Sequence, residues 1–176
     1  MADTPEFSRP VQIDHVGPAW HSHPVEAGPA ERAALAARFG LVALPALAAE
    51  VKLRRVRAGR YIEATLHLTA EVVQSCVVTL EPVAAAIDET GRELYGPIGG
   101  GSEAPEEVLV DPDSPEPLES PSLDLGEIVA QHLALALDPY PRAPGAAAPG
   151  EAAAEAEARP SPFAGLAALK GGSAKP

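Results

Sequence analysis

The sequence is short of the residues that build disulfide frameworks, aromatic cores and basic surfaces. It has one cysteine, Cys76, in 176 residues. That excludes an internal disulfide and fits a reducing compartment. Only 4% of the residues are aromatic, so any core must be mainly aliphatic. No stretch reaches the roughly 20 consecutive apolar residues of a membrane-spanning helix. The start, MADTPEFSRPV, lacks the basic opening and apolar run of a secretory signal. A cytoplasmic protein without a membrane partner is expected. Positive charge is also scarce: 13 Lys plus Arg stand against 25 Asp plus Glu, a formal charge of -12. Such a field opposes long-range attraction to bare nucleic acid. Contact with RNA would therefore need a local basic patch or a protein partner.

Proline and glycine are abundant, at 20 and 15 residues, so much of the chain cannot be regular structure. The folded core should be roughly 100 to 120 residues, within the range of one domain. The layout reads as a flexible N-terminus over 1–8, a single domain over 9–142 with a flexible acidic loop at 95–121, and a disordered linker over 143–160. A short amphipathic motif over 161–170 and a tail over 171–176 follow. The richness in alanine, proline, glycine and arginine fits a GC-rich bacterial genome.

The best-specified element lies in LDLGEIVAQHLALALDPYPR, residues 123–142. Asp124 suits a helix N-cap, and Glu127 three residues later completes the reciprocal capping pattern. Leu125, Ile128, Val129, His132, Leu133 and Ala136 share one helical face, with Leu137 at its margin. Asp138-Pro139 ends the helix, because the residue before proline is pushed out of the α region. A second helix is expected over Pro29 to Phe39, with Pro29 in the first turn, Gly40 past the end, and Leu35, Ala36 and Phe39 facing the core.

Strands are read from alternation. Arg9 to Val16 makes a short one. Ala48 to Val56, with Val51 and Leu53 inward, pairs through a turn at Ala58-Gly59 with a long strand over Tyr61 to Cys76. Ile62, Ala64, Leu66 and Leu68 lie on one face of that strand, and the alternation slips near Ala70 to Val73, where a bulge is expected. Val77 to Ile87 continues the sheet as an edge strand because of Pro82, and Glu106 to Val110 is a further short strand. Gly17 to Gly28 reads as a loop, and Leu41 to Leu47 as an apolar connection. The expected fold class is α+β: a mainly antiparallel sheet of about five or six strands with two packed helices, a disordered acidic loop and a disordered C-terminal tail.

Little in the chain looks like chemistry. His21 and His23 form His-x-His, but no Cys, third His or acid stands at ligand spacing beside them. GPIGGG, residues 96–101, lacks the Lys-Ser/Thr ending and following helix of a phosphate loop. No nucleophile and base stand in a recognisable arrangement. No catalytic residues, metal or cofactor are expected, and a monomer is favoured. What does stand out is Lys52, Arg54, Arg55, Arg57 and Arg60 on the hairpin. That cluster can meet phosphates or serve as the solvated face of a strand protected from aggregation. Phe163, Leu166 and Leu169, in SPFAGLAALK, form a short apolar motif on a tether, suited to docking on its own domain or on a partner.

Three segments in this order resemble the YceD family of large-ribosomal-RNA accumulation proteins. They are TAEVVQSCVVTLEPV, LDLGEIVAQHLALALDPYP and PSPFAGLAALK. The resemblance covers about residue 48 to Lys170. It implies a bacterial, non-enzymatic factor supporting 23S rRNA accumulation or processing and large-subunit assembly. Its implied partner is ribosomal RNA or a pre-50S particle, reached directly or through a protein partner. Many members have a second cysteine after the long strand, in Cys-x-x-Cys or Cys-x-Arg-Cys. Here Val78 and Thr79 occupy the Arg and second Cys positions, so a thiolate metal clip is not expected and the turn should be held by packing. A protein-binding adaptor or a small-molecule-binding sheet unrelated to RNA is the alternative.

Overall fold

Two alternating runs joined by a tight turn set the architecture. The computed structural model describes residues 5–98, 115–118 and 120–146. In order, the elements are β1 (Pro10–Gln12), a 3-10 turn (Ile13–His15), β2 (His21–Glu26), α1 (Pro29–Phe39), β3 (Ala43–Val56), β4 (Tyr61–Ser75), β5 (Pro82–Tyr95), β6 (Ser122–Asp124) and α2 (Leu125–Ala136). Among the described residues, six strands and two helices make an α+β fold. The strands form a four-stranded antiparallel sheet in the order β2-β3-β4-β5 and a two-stranded pair, β1-β6.

The alternation of β4 decides the two faces of the large sheet. Ile62, Ala64, Leu66, Leu68, Ala70 and Val72 are all buried. They meet Val51, Leu53 and Leu47 of β3 across the ladder and lie in one cluster with Leu35 of α1 and Leu125, Ile128, Val129 and Leu133 of α2. Each fully buried aliphatic side chain stabilises by about 1.5 to 3 kcal/mol. Arg38 of α1 and Glu127 of α2 form a bidentate pair at 2.8 and 2.9 Å. Both helices therefore cover the same side, and among the described residues no helix covers the opposite side of the sheet.

Several expectations need correction. The segment read as a loop at Gly17 to Gly28 contains β2, which pairs along its length with β3 from His21↔Leu53 to Glu26↔Ala48. Leu41 to Leu47 is not a connection, because β3 begins at Ala43. The bulge lies on β3, between Ala43 and Ala46, rather than on β4. Val73 of β4 merely points outward, beside Pro45 and Ala84. The N-terminal strand is only three residues long, and Ile13 to His15 turns away as a 3-10 turn. The final sheet strand runs on from Ile87 to Tyr95.

The N-terminal region is also more fixed than its composition suggests. Phe7 is 2% exposed. Ser8 donates to Asp124 at 2.5 Å, and the Arg9 backbone N–H donates to the same carboxylate at 2.7 Å. Asp124 caps α2 through the N–H of Gly126 at 2.9 Å. Gly126 has room only for hydrogen, since a Cβ there would sit 2.4 Å from the Phe7 carbonyl oxygen. Glu127 does not complete a capping box; its carboxylate is turned to Arg38. In α1 the backward bond does form, with the Gly28 N–H donating to Glu31 at 2.7 Å. Beyond Pro141, Ala143 is held against Cys76, so the linker segment begins as part of the domain. The expected strand at Glu106 to Val110, most of the acidic loop and the terminal motif with Phe163, Leu166 and Leu169 lie outside the described residues.

Candidate nucleic-acid interface

The solvent face of the four-stranded sheet carries the outward half of each alternating strand. These include Ser22 and Glu26 on β2, Glu50, Lys52 and Arg54 on β3, Glu63, Thr65, His67, Thr69 and Glu71 on β4, and Asp88, Thr90 and Arg92 on β5. Register brings Arg54 opposite Glu63, and Thr65 opposite Arg92. The result is a row of charges across three strands. Glu63 is only 5% exposed. Its Oε2 accepts from Arg54 Nε at 2.7 Å and its Oε1 is 2.7 Å from Arg92 Nη2. One carboxylate thus orients two guanidinium groups and leaves the trio with a net positive charge. Arg92 remains mostly in solvent, its side chain 73% exposed. Because both cations reach water, the ion pairs are worth less than fully buried ones, and their main effect is orientation.

Aromatic rings extend this row. Trp20 stands just before β2, one residue from the His21↔Leu53 pair, and so lies beside Arg54. The Arg54 guanidinium is 4.3 Å from the Trp20 ring centroid. Arg57 lies 4.9 Å from the centroid of Tyr61, the first residue of β4. Planar guanidinium groups stack on aromatic faces, and both arginines are thereby ordered.

The five basic residues singled out from the sequence do not act alike. Lys52 is exposed, with Nζ 3.3 Å from Glu50. The bond from Ser22 and then the contact with Lys52 hold the Glu50 carboxyl below the usual range. Arg54 and Arg57 belong to the aromatic-stacked row. Arg60 is exposed in the turn, where its carbonyl accepts from the Ile98 N–H at 2.8 Å. Arg55 is different. Its parity points it toward the helix side, where Nε donates to the Val16 carbonyl and Nη2 to the Ile13 carbonyl, each at 2.7 Å. It ties the N-terminal 3-10 turn to the sheet. The structure brings Trp20, Tyr61, Glu63 and Arg92 together with these arginines. Arg92 could have been found by carrying the alternation of β5 past Ile87, since Asp88, Thr90 and Arg92 share its outward parity. Trp20 carried no local signal, because nothing in the loop-like sequence before β2 announces a strand.

The underside of β5 fixes where Arg92 sits. Gly91 leaves space for the His132 ring of α2, and His132 Nε2 lies 2.8 Å from Glu93 Oε1. Tyr95 donates to the other oxygen of Glu93. Burial opposes ionisation of Glu93, but the bonds from His132 and Tyr95 outweigh it and hold the carboxyl below the usual range. Burial, reinforced by the bond to Glu93, raises Tyr95 and keeps it a phenol. Among the described residues no three His, Cys, Asp or Glu side chains are grouped to hold a metal. At the far end of β4, the Cys76 sulfur accepts from the N–H groups of Val78 and Thr79, each at 3.4 Å, and of Ala143 at 3.3 Å. That turn is therefore held by hydrogen bonds to sulfur and not by packing alone. The bonds from Thr79 and Ala143 bring the thiol down to about 6.

A family model described as "Large ribosomal RNA subunit accumulation protein YceD" matches residues 64–170, more than half of the chain. No curated protein and no solved structure matches.

Proposed function

The chain belongs to the YceD family, named for accumulation of the large ribosomal RNA subunit, and from that premise we propose that it supports 23S rRNA accumulation by binding. In this reading it is a non-enzymatic assembly factor. Its contact surface is the solvent face of the large sheet, and its target is ribosomal RNA within a pre-50S particle. The observation that carries the reading is the ordered row Trp20–Arg54–Glu63–Arg92 on a sheet face that no helix covers among the described residues. Arg57, Arg60 and Lys52 extend its positive edge.

The formal charge of -12 limits what this patch can do unaided. Lys52, Arg54, Arg57, Arg60 and Arg92 are the available cations, so salt dependence should be modest, with a slope no steeper than about -0.7 per phosphate contact on a single strand. Binding inside a particle, where a protein neighbour brings the factor to its site, fits this balance better than capture of free RNA. The motif at Phe163, Leu166 and Leu169 is the segment we assign to that neighbour, since a tethered apolar motif supplies local concentration without adding positive charge.

The test is sedimentation of large-subunit precursors from cells carrying Arg57→Glu, Arg60→Glu and Arg92→Gln together, the last a neutral change because residue 92 faces the nearly buried Glu63. All three side chains reach solvent, so folding should survive. Loss of the protein from precursor fractions with an unchanged circular dichroism spectrum is expected. Wild-type co-sedimentation of the triple variant rejects this face as the contact.

A further inference from the structure

We propose that the outer sheet face takes unpaired ribonucleotides: bases stack on Trp20 and Tyr61, and phosphates meet Arg54, Arg57 and Arg92. The inference rests on the RNA reading above and narrows it to single strands.

Three features point that way. The first is the exposure of Trp20. It is 42% exposed, although the chain has only one tryptophan and 4% aromatic residues. A protein this poor in aromatics does not use its largest ring in the core. The ring is instead fixed beside Arg54, 4.3 Å from the guanidinium, as part of a rigid shelf. Aromatic rings on a sheet offer a π-face to any base, and neighbouring arginines draw the backbone alongside.

The second is spacing. Trp20 lies beside Arg54 of β3, and Tyr61 of β4 pairs with Val56. The backbone positions that carry the two rings are therefore about two strand spacings apart across the sheet and one two-residue step along it, roughly 12 Å. Bases stacked in a helix lie about 3.4 Å apart along each strand. Two neighbouring bases can reach both rings only if they are splayed apart.

The third is shape. Among the described residues, the outer face is a sheet surface without a helix or loop projecting from its centre. A-form RNA hides its base faces and presents a deep major groove that side chains cannot read. A duplex would touch only the charges and would leave the rings unused. The Glu63 carboxylate, bonded to both Arg54 and Arg92, keeps those guanidinium planes in place before the strand arrives.

Because Trp20 is the only tryptophan, its fluorescence reports stacking directly. The experiment titrates the full chain at low salt with a 12-nucleotide oligoadenylate, a 12-nucleotide oligouridylate and a fully paired RNA duplex of the same length. Saturable quenching by the single strands is expected, with the duplex at least tenfold weaker by both fluorescence and anisotropy of labelled RNA. Trp20→Leu should weaken single-strand binding by about tenfold, with Tyr61→Leu following the same direction. Both positions are partly or well exposed, so a native circular dichroism spectrum is expected for each. Equal affinity for duplex and single strand, or single-strand affinity unchanged by Trp20→Leu, overturns this inference while leaving the RNA reading intact. Binding to neither form overturns this inference, and wild-type precursor association of the Arg57, Arg60 and Arg92 variant overturns the reading of this face as the RNA contact as well.

Discussion

Gly91→Ala is the sharpest test of how the helix side of the sheet sets its outer face. A Cβ at residue 91 would lie 2.4 Å from His132 Cε1, 2.9 Å from His132 Nδ1 and 2.7 Å from Leu66 Cδ2. Leu66 is buried in the core and the His132 ring is held by Glu93 at 2.8 Å. Neither can swing away without loss. Overpacking of this kind costs about 1 to 3 kcal/mol, and loss of a hydrogen bond to a charged carboxylate about 1.5 to 3 kcal/mol. Replacing a strand glycine returns about 0.5 to 1 kcal/mol through the unfolded chain. The net expectation is a loss of about 1.5 to 5.5 kcal/mol, a large share of the usual 5 to 15 kcal/mol total. Urea unfolding with matched m-values measures it. The decisive comparison is the same substitution in a His132→Ala background, where the ring is gone. There Gly91→Ala should cost at least about 1 kcal/mol less, because contacting residues are non-additive. Equal costs in the two backgrounds would refute the argument that the glycine exists to admit the histidine.

Other consequences follow from the same contacts. Arg55→Ala should destabilise the fold by about 2 to 3 kcal/mol, since two carbonyl acceptors lose a charged donor; exchange of amides in residues 13–17 should accelerate, and an unchanged unfolding midpoint would remove Arg55 as the tie to the N-terminal turn. Acid should weaken the protein through depressed carboxyls. Hydrogen bonds from Arg9 and the Gly28 N–H lower Glu31, and the bond from Arg38 lowers Glu127. A carboxyl with a lowered folded pKa contributes fully above its unfolded value, about 4.3, and that contribution is lost as pH falls through the lower folded value. The urea midpoint should therefore drop below about pH 5, and by less in an Arg9→Ala, Arg38→Ala double variant; equal acid sensitivity would reject these pairs as the cause. Cys76 should resist alkylation in the native state despite its depressed pKa, because it is fully buried under Ala143, and it should react at the rate at which the segment over 141–143 opens. Native labelling as fast as that of a free thiol would show that this cover is not in place.

Local pattern was enough for the buried face of β4 and for the ends of both helices. Alternation in β4 named its buried face, and Gly40 marks the end of α1 with a left-handed φ of 65°. Asp124 caps α2 as its side chain and position require. The candidate surface was legible in part for the same reason: outward parity on β3 exposes Lys52 and Arg54. Parity also contained the fate of Arg55, but a charged residue among four others reads as a surface cluster until its neighbour is known.

Partners distant in sequence came only from the tertiary structure. Glu127 abandons its own N-terminus for Arg38, 89 residues away, because helix docking puts a guanidinium closer than the cap. Phe7 and β1 are fixed by β6 and α2, whose sequences carry no mark of them. The row Trp20–Arg54–Glu63–Arg92 spans four separate segments. Sequence period states which way each side chain points from its own strand. Only the pairing register, set by burying both apolar faces at once, states which outward side chains become neighbours.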